Sequence, residues 1–464
     1  MVSAKFEITL PEKAESVLHA LQTQNHQAFV VGGCVRDFLR GVEPHDWDIC
    51  TDARPEQVIE IFGSDNTIPT GIKHGTVTVK MAGELFEVTT FRTDGKYMDG
   101  RHPENVTFIG NIEDDLERRD FTINAMAYNP SKGLIDPFGG EFDLTHGFIR
   151  AVGYPEKRFQ EDPLRILRAL RFEARMEGFS IDGETYTAME STLDDLKKIS
   201  AERIGSELLQ IVCAPFAAKT LSSHKGIVIR HVIPELDTCY GVAQNNKYHH
   251  EDVFSHIIST LYNAQNSHEF PDAWSDQYVR MALLLHDIGK PSSKTTDENG
   301  YDHFYGHAKV SAEMAEKILR RLRYSNKFID TVVELILNHD VEFVPTKPCA
   351  RRHLNRLGEE QLHRLLKLRE CDNRAHTPAA WLKFDKQTVP FSKVLQEVLD
   401  EESAFSLKDL AINGRDLIQA GYTPGPQMGH VLNTLCDEVI NDKTQNTKAA
   451  LLERAEQLYR GDGI

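Results

Sequence analysis

At 464 residues the chain is too long for one ordinary hydrophobic core, so two to four domains are expected. A content of 40% apolar and 27% charged residues suits a globular protein in water, and apolar runs such as MALLL at 281–285 are far too short to span a membrane. A net charge of −17 excludes a surface coated for non-specific nucleic-acid binding, yet leaves two basic islands, 157–175 and 347–374.

The N-terminal MVSAKFEITLPEKAES lacks the apolar stretch of a secretory leader. Seven scattered cysteines without a CxxC predict reduced thiols, as in a cytoplasmic protein. Residues 10–25 predict an amphipathic helix. AFVVGG, WDIC, TVTVK and LFEVTTF, between 28 and 91, predict short strands separated by turns. After LIDPFGG at 134–140 the texture changes. From about 155 onward, Leu, Ile and Ala recur at three- and four-residue spacing and predict helix almost throughout. The fold class is α+β: a small mixed α/β head followed by a long all-α remainder.

The chemistry starts at VVGGCVRDFLRGVEPHDWDIC, residues 30–50. An extended segment puts Asp46 and Asp48 on one side and Trp47 on the other. Two adjacent carboxylates repel unless a cation lies between them. An all-oxygen pair suits Mg²⁺, which keeps several waters and also takes substrate phosphates. Gly32 and Gly33 allow backbone to approach a triphosphate, Arg36 supplies a donor, and Glu87 is a candidate third carboxylate. A DxD is common as plain surface charge, so the weight rests on these parts occurring together.

The run GGxVRDxLxG followed by DxD resembles the class II nucleotidyltransferases of the polymerase-β superfamily, which include the CCA-adding tRNA nucleotidyltransferases and bacterial poly(A) polymerases. The resemblance continues through ERRDFTINAMAYN at 117–129, LIDPFGGEFDL at 134–144, AVGYPEKRFQEDPLRILRALRF at 151–172 and AERIGSEL at 201–208. It implies that Asp46, Asp48 and Glu87 are catalytic. It also implies that Arg119 meets the nucleotide, and Asp120 and Asn124 its sugar.

Asp162 before Pro163 reads as a helix N-cap, and Arg165, Arg168 and Arg171 as a basic helix surface. A second reading stands beside it. Cytosine and adenine each present an amino donor next to a ring-nitrogen acceptor, whereas guanine and uracil present a carbonyl next to an N–H. A carboxylate with a guanidinium fits the first pair and leaves the second with unpaired polar edges. The resemblance implies that Asp162 and Arg165 are this amino-acid template, with Arg168 and Arg171 near the triphosphate. A loop between Arg92 and Arg118 looks full length, which by the same resemblance favours complete CCA addition.

Residues 249–374 scatter His256, His286, Asp287, His307, His339 and Asp372 over four helical patterns, a donor set for a divalent transition metal or Mg²⁺. The H…HD…D order resembles the HD phosphohydrolases and implies a metal-dependent phosphatase or 2′,3′-cyclic phosphodiesterase. Asp340 rivals Asp372 in this set, and His303 rivals His307. The stretch 411–435, with Gly414, Gly421, Gly425 and Gly429, reads either as helix–turn–helix packing or as a tRNA-binding tail.

Four regions are expected: head 1–148, neck 149–235, HD body 236–380 and tail 381–464. The expected activity is template-independent CCA addition to tRNA from CTP and ATP, in the cytoplasm and without a membrane partner; oligomeric state stays open. The alternatives are a partial enzyme adding only CC or only A, and an RNA-binding HD phosphohydrolase.

Overall fold

In the computed structural model, which describes residues 8–94, 106–267, 270–401 and 406–461, the predicted N-terminal helix runs over Glu12–Thr23 (α1). It buries Ala14, Val17, Leu18 and Leu21, the one-sided stripe of an amphipathic helix. The chain divides into two compact units, Met1–Pro234 and Glu235–Ile464.

The first unit is organised by seven strands. In chain order come β1 (Ala28–Val31), α2 (Gly33–Leu39), β2 (Ile49–Thr51), α3 (Pro55–Phe62), β3 (Thr67–Gly71), β4 (Thr76–Met81) and β5 (Glu84–Thr90). A small pair, β6 (Arg92–Asp94) and β7 (Val106–Phe108), leads to α4 (Ile112–Glu117), β8 (Ala127–Asn129), β9 (Gly133–Ile135) and α5 (Gly140–His146). The sheet order is β3-β4-β5-β2-β1-β8-β9, and only the β2–β5 contact is parallel. Alternation sends Val30, Ile49 and Val88 to one face, where they pack with Val17, Leu21 and Val58. Phe29, Val31 and Cys50 line the other face with Phe91 and Leu116.

A two-stranded parallel contact joins β10 (Phe148–Ile149) to β11 (Ser180–Ile181), around α6 (Pro155–Glu161) and α7 (Arg165–Arg175). Helices α8 (Gly183–Thr192), α9 (Ala201–Val212), α10 (Ala217–Ser223) and α11 (Lys225–His231) complete this unit.

The second unit contains α12 (Val253–Gln265), α13 (Gln277–Leu285), α14 (Lys290–Ser293), a hairpin of β12 (Thr295–Thr296) and β13 (Asp302–His303), α15 (His307–Arg321), α16 (Asn326–Asn338), α17 (Lys347–Leu357), α18 (Glu359–Arg374) and α19 (Pro378–Asp400). Its last helices, α20 (Gly414–Gln419), α21 (Pro426–Ile440) and α22 (Lys448–Gly461), enclose Leu417, Leu435, Ile440 and Leu451. The glycine-rich tail therefore forms packed helices, with the Asn413 side chain capping α20. The expectation of an all-α remainder misses β10–β11 and the β12–β13 hairpin, two-residue strands with no room for a period-2 signal. All seven cysteines are free, and among the described residues no helix is long and apolar enough to cross a membrane.

LIDPFGG is explained by contact. The Asp136 carboxylate accepts the N–H groups of Gly140 and Glu141 at 2.7 and 2.9 Å, fixing the start of α5. A Cβ on Gly140 would lie 2.2 Å from the Thr122 carbonyl oxygen and 2.9 Å from Met126. Gly140→Ala should therefore destabilise the first unit by about 1–3 kcal/mol, read from the denaturant midpoint.

Candidate active site

The glycine bend is built at the end of β1. Gly32 has φ +81°, and a Cβ there would lie 2.9 Å from Nη1 of Arg119, so no other residue fits without displacing that guanidinium. The Val31 N–H donates to the Asp48 carbonyl at 3.0 Å and holds the acidic segment alongside. Strand β2 begins only at Ile49, so Asp46 and Asp48 lie on the extended segment that feeds it, while Trp47 packs on the core. Parallel pairing of Ile49 with Val88 brings Glu87 beside Asp48. Solvent reaches Asp48, yet its dense surroundings, then Glu87 and Asp46, push its carboxyl upward, with Arg119 opposing. Among the described residues no basic side chain forms an ion pair with Asp46, Asp48 or Glu87. This donor set fits a hard divalent cation: oxygen only, like-charged and uncompensated. The three carboxylates do not close to the 4.8 Å spacing that the helical clusters below reach.

Behind the bend runs a chain of polar contacts. Nη1 of Arg36 donates to Oδ1 of Asn124 at 2.6 Å, and Asn124 donates to Oδ1 of Asp120 at 3.0 Å. Oδ2 of Asp120 accepts from Nε of Arg168 at 2.8 Å. Burial favours the neutral acid at Asp120, but Arg168 and Asn124 overcome it and hold the carboxyl far below its usual range. Arg36 also grips Asp37 through two bonds of 2.9 Å. The guanidinium groups of Arg36, Arg168 and Arg171 lie 5.3, 5.8 and 5.2 Å from the Phe172 ring centre.

The arginines of helix α7 and the residues before it are bonded within the first unit. Arg165 does not pair with Asp162: it donates to the carbonyls of Arg118 and Arg158 and to Glu161, and is buried. The partner of Asp162 is Arg203 on α9, at 2.9 Å. Asp162 also accepts the Leu164 N–H at 3.1 Å, while α7 itself starts at Arg165 with Leu164 as its N-cap residue. Arg171 meets Glu207 and Gln210 of α9. Distant segments supply Arg203 to Asp162, the Arg118 carbonyl to Arg165 and Gln210 to Arg171. Arg203 sits 41 residues from Asp162, with no local signal linking them. The bulk of the loop expected between Arg92 and Arg118, 95–105, lies outside the described residues.

In the second unit the predicted histidines and aspartates converge. His256 on α12 and Asp372 on α18 approach to 3.0 Å, and His286 lies 3.6 Å from Asp372. Asp287 stands in the middle: Oδ2 is 3.3 Å from both His256 and His286, and Oδ1 is 3.3 Å from His307 and 3.7 Å from His339. His286, His307 and His339 each turn Nδ1 to the carbonyl oxygen three residues back, at 2.9, 2.8 and 2.6 Å, which aims Nε2 inward. No hydrogen bond reaches Nε2 of His286 or either oxygen of Asp287. Two nitrogen–oxygen groups result, His256–His286–Asp372 and Asp287–His307–His339, joined through Asp287. This buried set of imidazole nitrogens and carboxylate oxygens fits divalent metal ions, with Lys290 at 2.7 Å as the charge beside Asp287 in their place.

Asp340 is 61% exposed and Asp372 is buried, so Asp372 is the carboxylate in the cluster; His303 instead bonds Asp297 at 3.0 Å. Burial opposes charge on His286, but Asp287 and Asp372 lift it to about 10. Burial lowers His256 and His339 to about 4. Lys290, 2.7 Å from Asp287, and the neighbours His249 and His376 were missed. Positions i+3 from Asp287 and i+4 from Asp372 on helical patterns could have found Lys290 and His376.

The basic stretch 347–374 is largely occupied by its own unit: Arg351 pairs with Asp442, Arg364 with Asp276 and Glu360, and Lys367 with Asp272.

Against this geometry stand the comparisons. Residues 28–150 match the profile of the "Poly A polymerase head domain", 178–239 that of an "RNA and SrmB- binding site of polymerase A", and 293–455 that of "tRNA nucleotidyltransferase domain 2". The chain is 33% identical to a CCA-adding enzyme of Lactobacillus helveticus over 450 residues, covering 96% of this chain and 97% of that one. A Staphylococcus saprophyticus CCA-adding enzyme is 32% identical over 445 residues, covering 96% and 97%. The crystal structure of the Bacillus stearothermophilus CCA-adding enzyme in complex with CTP superposes with a TM-score of 0.71 at 28% identity, covering 98% of this chain and 99% of that one. A Thermotoga maritima CCA-adding enzyme complexed with tRNA shares the fold, at a TM-score of 0.57 and 22% identity, with 96% and 94% covered.

Two tests follow from the electrostatics. The raised Asp48 carboxyl makes its ionisation unfavourable for folding above its usual value of 3.8. Asp48→Asn should raise the melting temperature at neutral pH by about 1–2 °C without divalent cation, a gain that vanishes below about pH 4, where the wild type is protonated in both states. Divalent-ion binding to the helical cluster, where an imidazole must be unprotonated to ligate, should strengthen with rising pH and release protons, read by calorimetry across buffers.

Proposed function

This chain belongs to the CCA-adding enzymes, and from that premise we propose that it builds and repairs the 3′ CCA end of tRNA from CTP and ATP, releasing pyrophosphate, with no nucleic-acid template. The observation that carries the site assignment is the uncompensated pair Asp46 and Asp48 beside the Gly32 bend. Asp46 and Asp48, with Glu87 adjacent, would hold Mg²⁺, which when bound supplies positive charge that acidifies the attacking 3′-hydroxyl and neutralises the departing pyrophosphate. Arg36 and Arg119 orient the triphosphate, and Asn124 and Asp120 the sugar. Arg168 keeps Asp120 ionised and in place.

Base choice falls to the start of α7. Asp162, oriented by Arg203, accepts the amino hydrogen of cytosine or adenine, and Arg165 donates to the ring nitrogen. Guanine and uracil would turn a carbonyl on the carboxylate and an N–H on the guanidinium. The neighbourhood of Asp162 and Arg165 supports this reading; the internal bonds of Arg165 mean that base binding exchanges partners there.

Regions 1–148, 149–235, 236–380 and 381–464 serve as head, neck, HD body and tail, the last recognising tRNA by shape in the cytoplasm. The HD body is a metal-dependent phosphohydrolase acting on phosphate esters at RNA ends. Its converging His256, His286, Asp287, His307, His339 and Asp372 would hold the metal, which when bound supplies an activated water.

A tRNA ending at its discriminator base, incubated with CTP and ATP and sequenced, should gain CCA. Asp48→Ala should lower addition by more than about 10³-fold. Asp162→Ala should erode preference for CTP and ATP over UTP and GTP by about 10–100-fold, measured as ratios of kcat/KM. Asp287→Asn should abolish phosphate hydrolysis while leaving CCA addition within about twofold, whereas an RNA-binding hydrolase with an idle head would show no CCA addition with or without the substitution.

A further inference from the structure

Above the helical His/Asp cluster opens a cavity of about 780 Å³, within the range of small-ligand sites. Its floor holds Asp287, His307, His339 and Asp372, with the cations Lys290 and Arg369 alongside. One wall is different in kind. The β12–β13 hairpin and the residues after it present Tyr301, His303 and Tyr305. The rings of His303 and Tyr305 are stacked, 5.3 Å between centres and 6° between planes. Tyr305 is 80% exposed and Tyr301 54% exposed.

Large aromatic faces held open to water need a reason, and this wall is held firmly. Asp297 fixes His303 through Oδ2 at 3.0 Å and accepts the N–H groups of Asn299 and Tyr301, both at 2.9 Å. Asp302, at the base of the hairpin, accepts from Lys294 and from the Asn245 N–H at 2.8 and 2.9 Å. The stack is thus preorganised, and only Gly306 separates Tyr305 from His307 in the cluster. A cationic, oxygen-seeking floor beside a fixed aromatic wall matches two halves of one molecule: a phosphate and a flat base. Base stacking on such a platform contributes about 1–3 kcal/mol per base.

We propose that the His303–Tyr305 stack is a nucleobase platform that makes the HD cavity selective for nucleoside phosphates over other phosphate esters. This rests on the hydrolytic reading of the cluster given above. Hydrolysis adds water across the ester: its oxygen bonds to phosphorus, the P–O bond to the sugar breaks, and a proton goes to the sugar oxygen.

The test uses the full-length protein with Mg²⁺, Mn²⁺, Co²⁺ or Ni²⁺ and three probes: AMP, ribose 5-phosphate (the same ester without a base) and a short RNA with a 3′-phosphate. The wild type should favour AMP over ribose 5-phosphate at least about tenfold in kcat/KM. Tyr305→Ala, a change at an exposed position, should raise KM for AMP at least about fivefold, keep kcat within about twofold, leave ribose 5-phosphate unaffected, and be rescued by Tyr305→Phe. Independently of turnover, 8-azido-AMP should label the peptide 295–306 by mass spectrometry with CTP saturating the head, and Tyr305→Ala should lose that label. A lower KM for the oligonucleotide than for AMP assigns the ligand to RNA ends, and the reverse to free nucleotides. Equal turnover of AMP and ribose 5-phosphate, unmoved by Tyr305→Ala and with the label elsewhere, overturns the platform but not the hydrolase. Labelling of the hairpin with no hydrolysis under any metal overturns the hydrolase and leaves the platform standing.

Discussion

A carboxylate shut away from water has to find its counter-charge inside the protein, and Asp120 finds it on a helix 48 residues further along the chain. Its two oxygens receive the Phe121 N–H, the Asn124 amide and the Arg168 guanidinium, and Asn124 is in turn bonded by Arg36 at the glycine bend. The route Arg36–Asn124–Asp120–Arg168 fastens α7 to the segment that carries Gly32. Loss of either charge would strand the other in a poorly hydrated place, a penalty larger than the net worth of the pair. The position of the arginine-bearing helix relative to the acidic segment is therefore dictated by one buried charge, and the nucleotide chemistry depends on that spacing.

The two acidic centres handle repulsion in opposite ways. In the head, Asp46, Asp48 and Glu87 lie near one another close to solvent, and among the described residues none forms an ion pair with a basic side chain; Asp48 shows the cost as a reluctance to ionise that Arg119 only partly offsets. In the helical body, Asp287 and Asp372 are buried and stay ionised because His286 and Lys290 surround Asp287, and His376, His256 and His286 surround Asp372. The first arrangement suits an ion that arrives with a substrate and keeps its waters. The second suits an ion bound by a closed nitrogen–oxygen shell, where metal replaces a proton.

Much of this was legible in the chain. The alternation in TVTVK and LFEVTTF marked β4 and β5, and the stripe in 10–25 marked α1, because each has one buried face and a period that shows it. Asp46, Asp48, Gly32 and Arg36 were legible because their neighbours lie within one turn and one strand. The strands β3, β8 and β9 were not, being short and carrying Pro69, Gly71 or Gly133 where a pattern would have to repeat. The six converging histidines and aspartates were visible as residue types, but the choice of Asp372 over Asp340 required knowing which helix face turns inward.

Sequence alone determined which two sets of side-chain donors the chain carries, since carboxylates, histidines and glycines keep their donor properties wherever they lie. Tertiary structure alone decided the partners: Arg203 for Asp162, Asp120 for Arg168, Glu207 for Arg171, and Asp297 rather than a metal cluster for His303. The reason is range. A guanidinium or imidazole bonds whichever acceptor lies within about 3 Å, and which acceptor that is depends on segments packed from far along the chain, which no local pattern encodes.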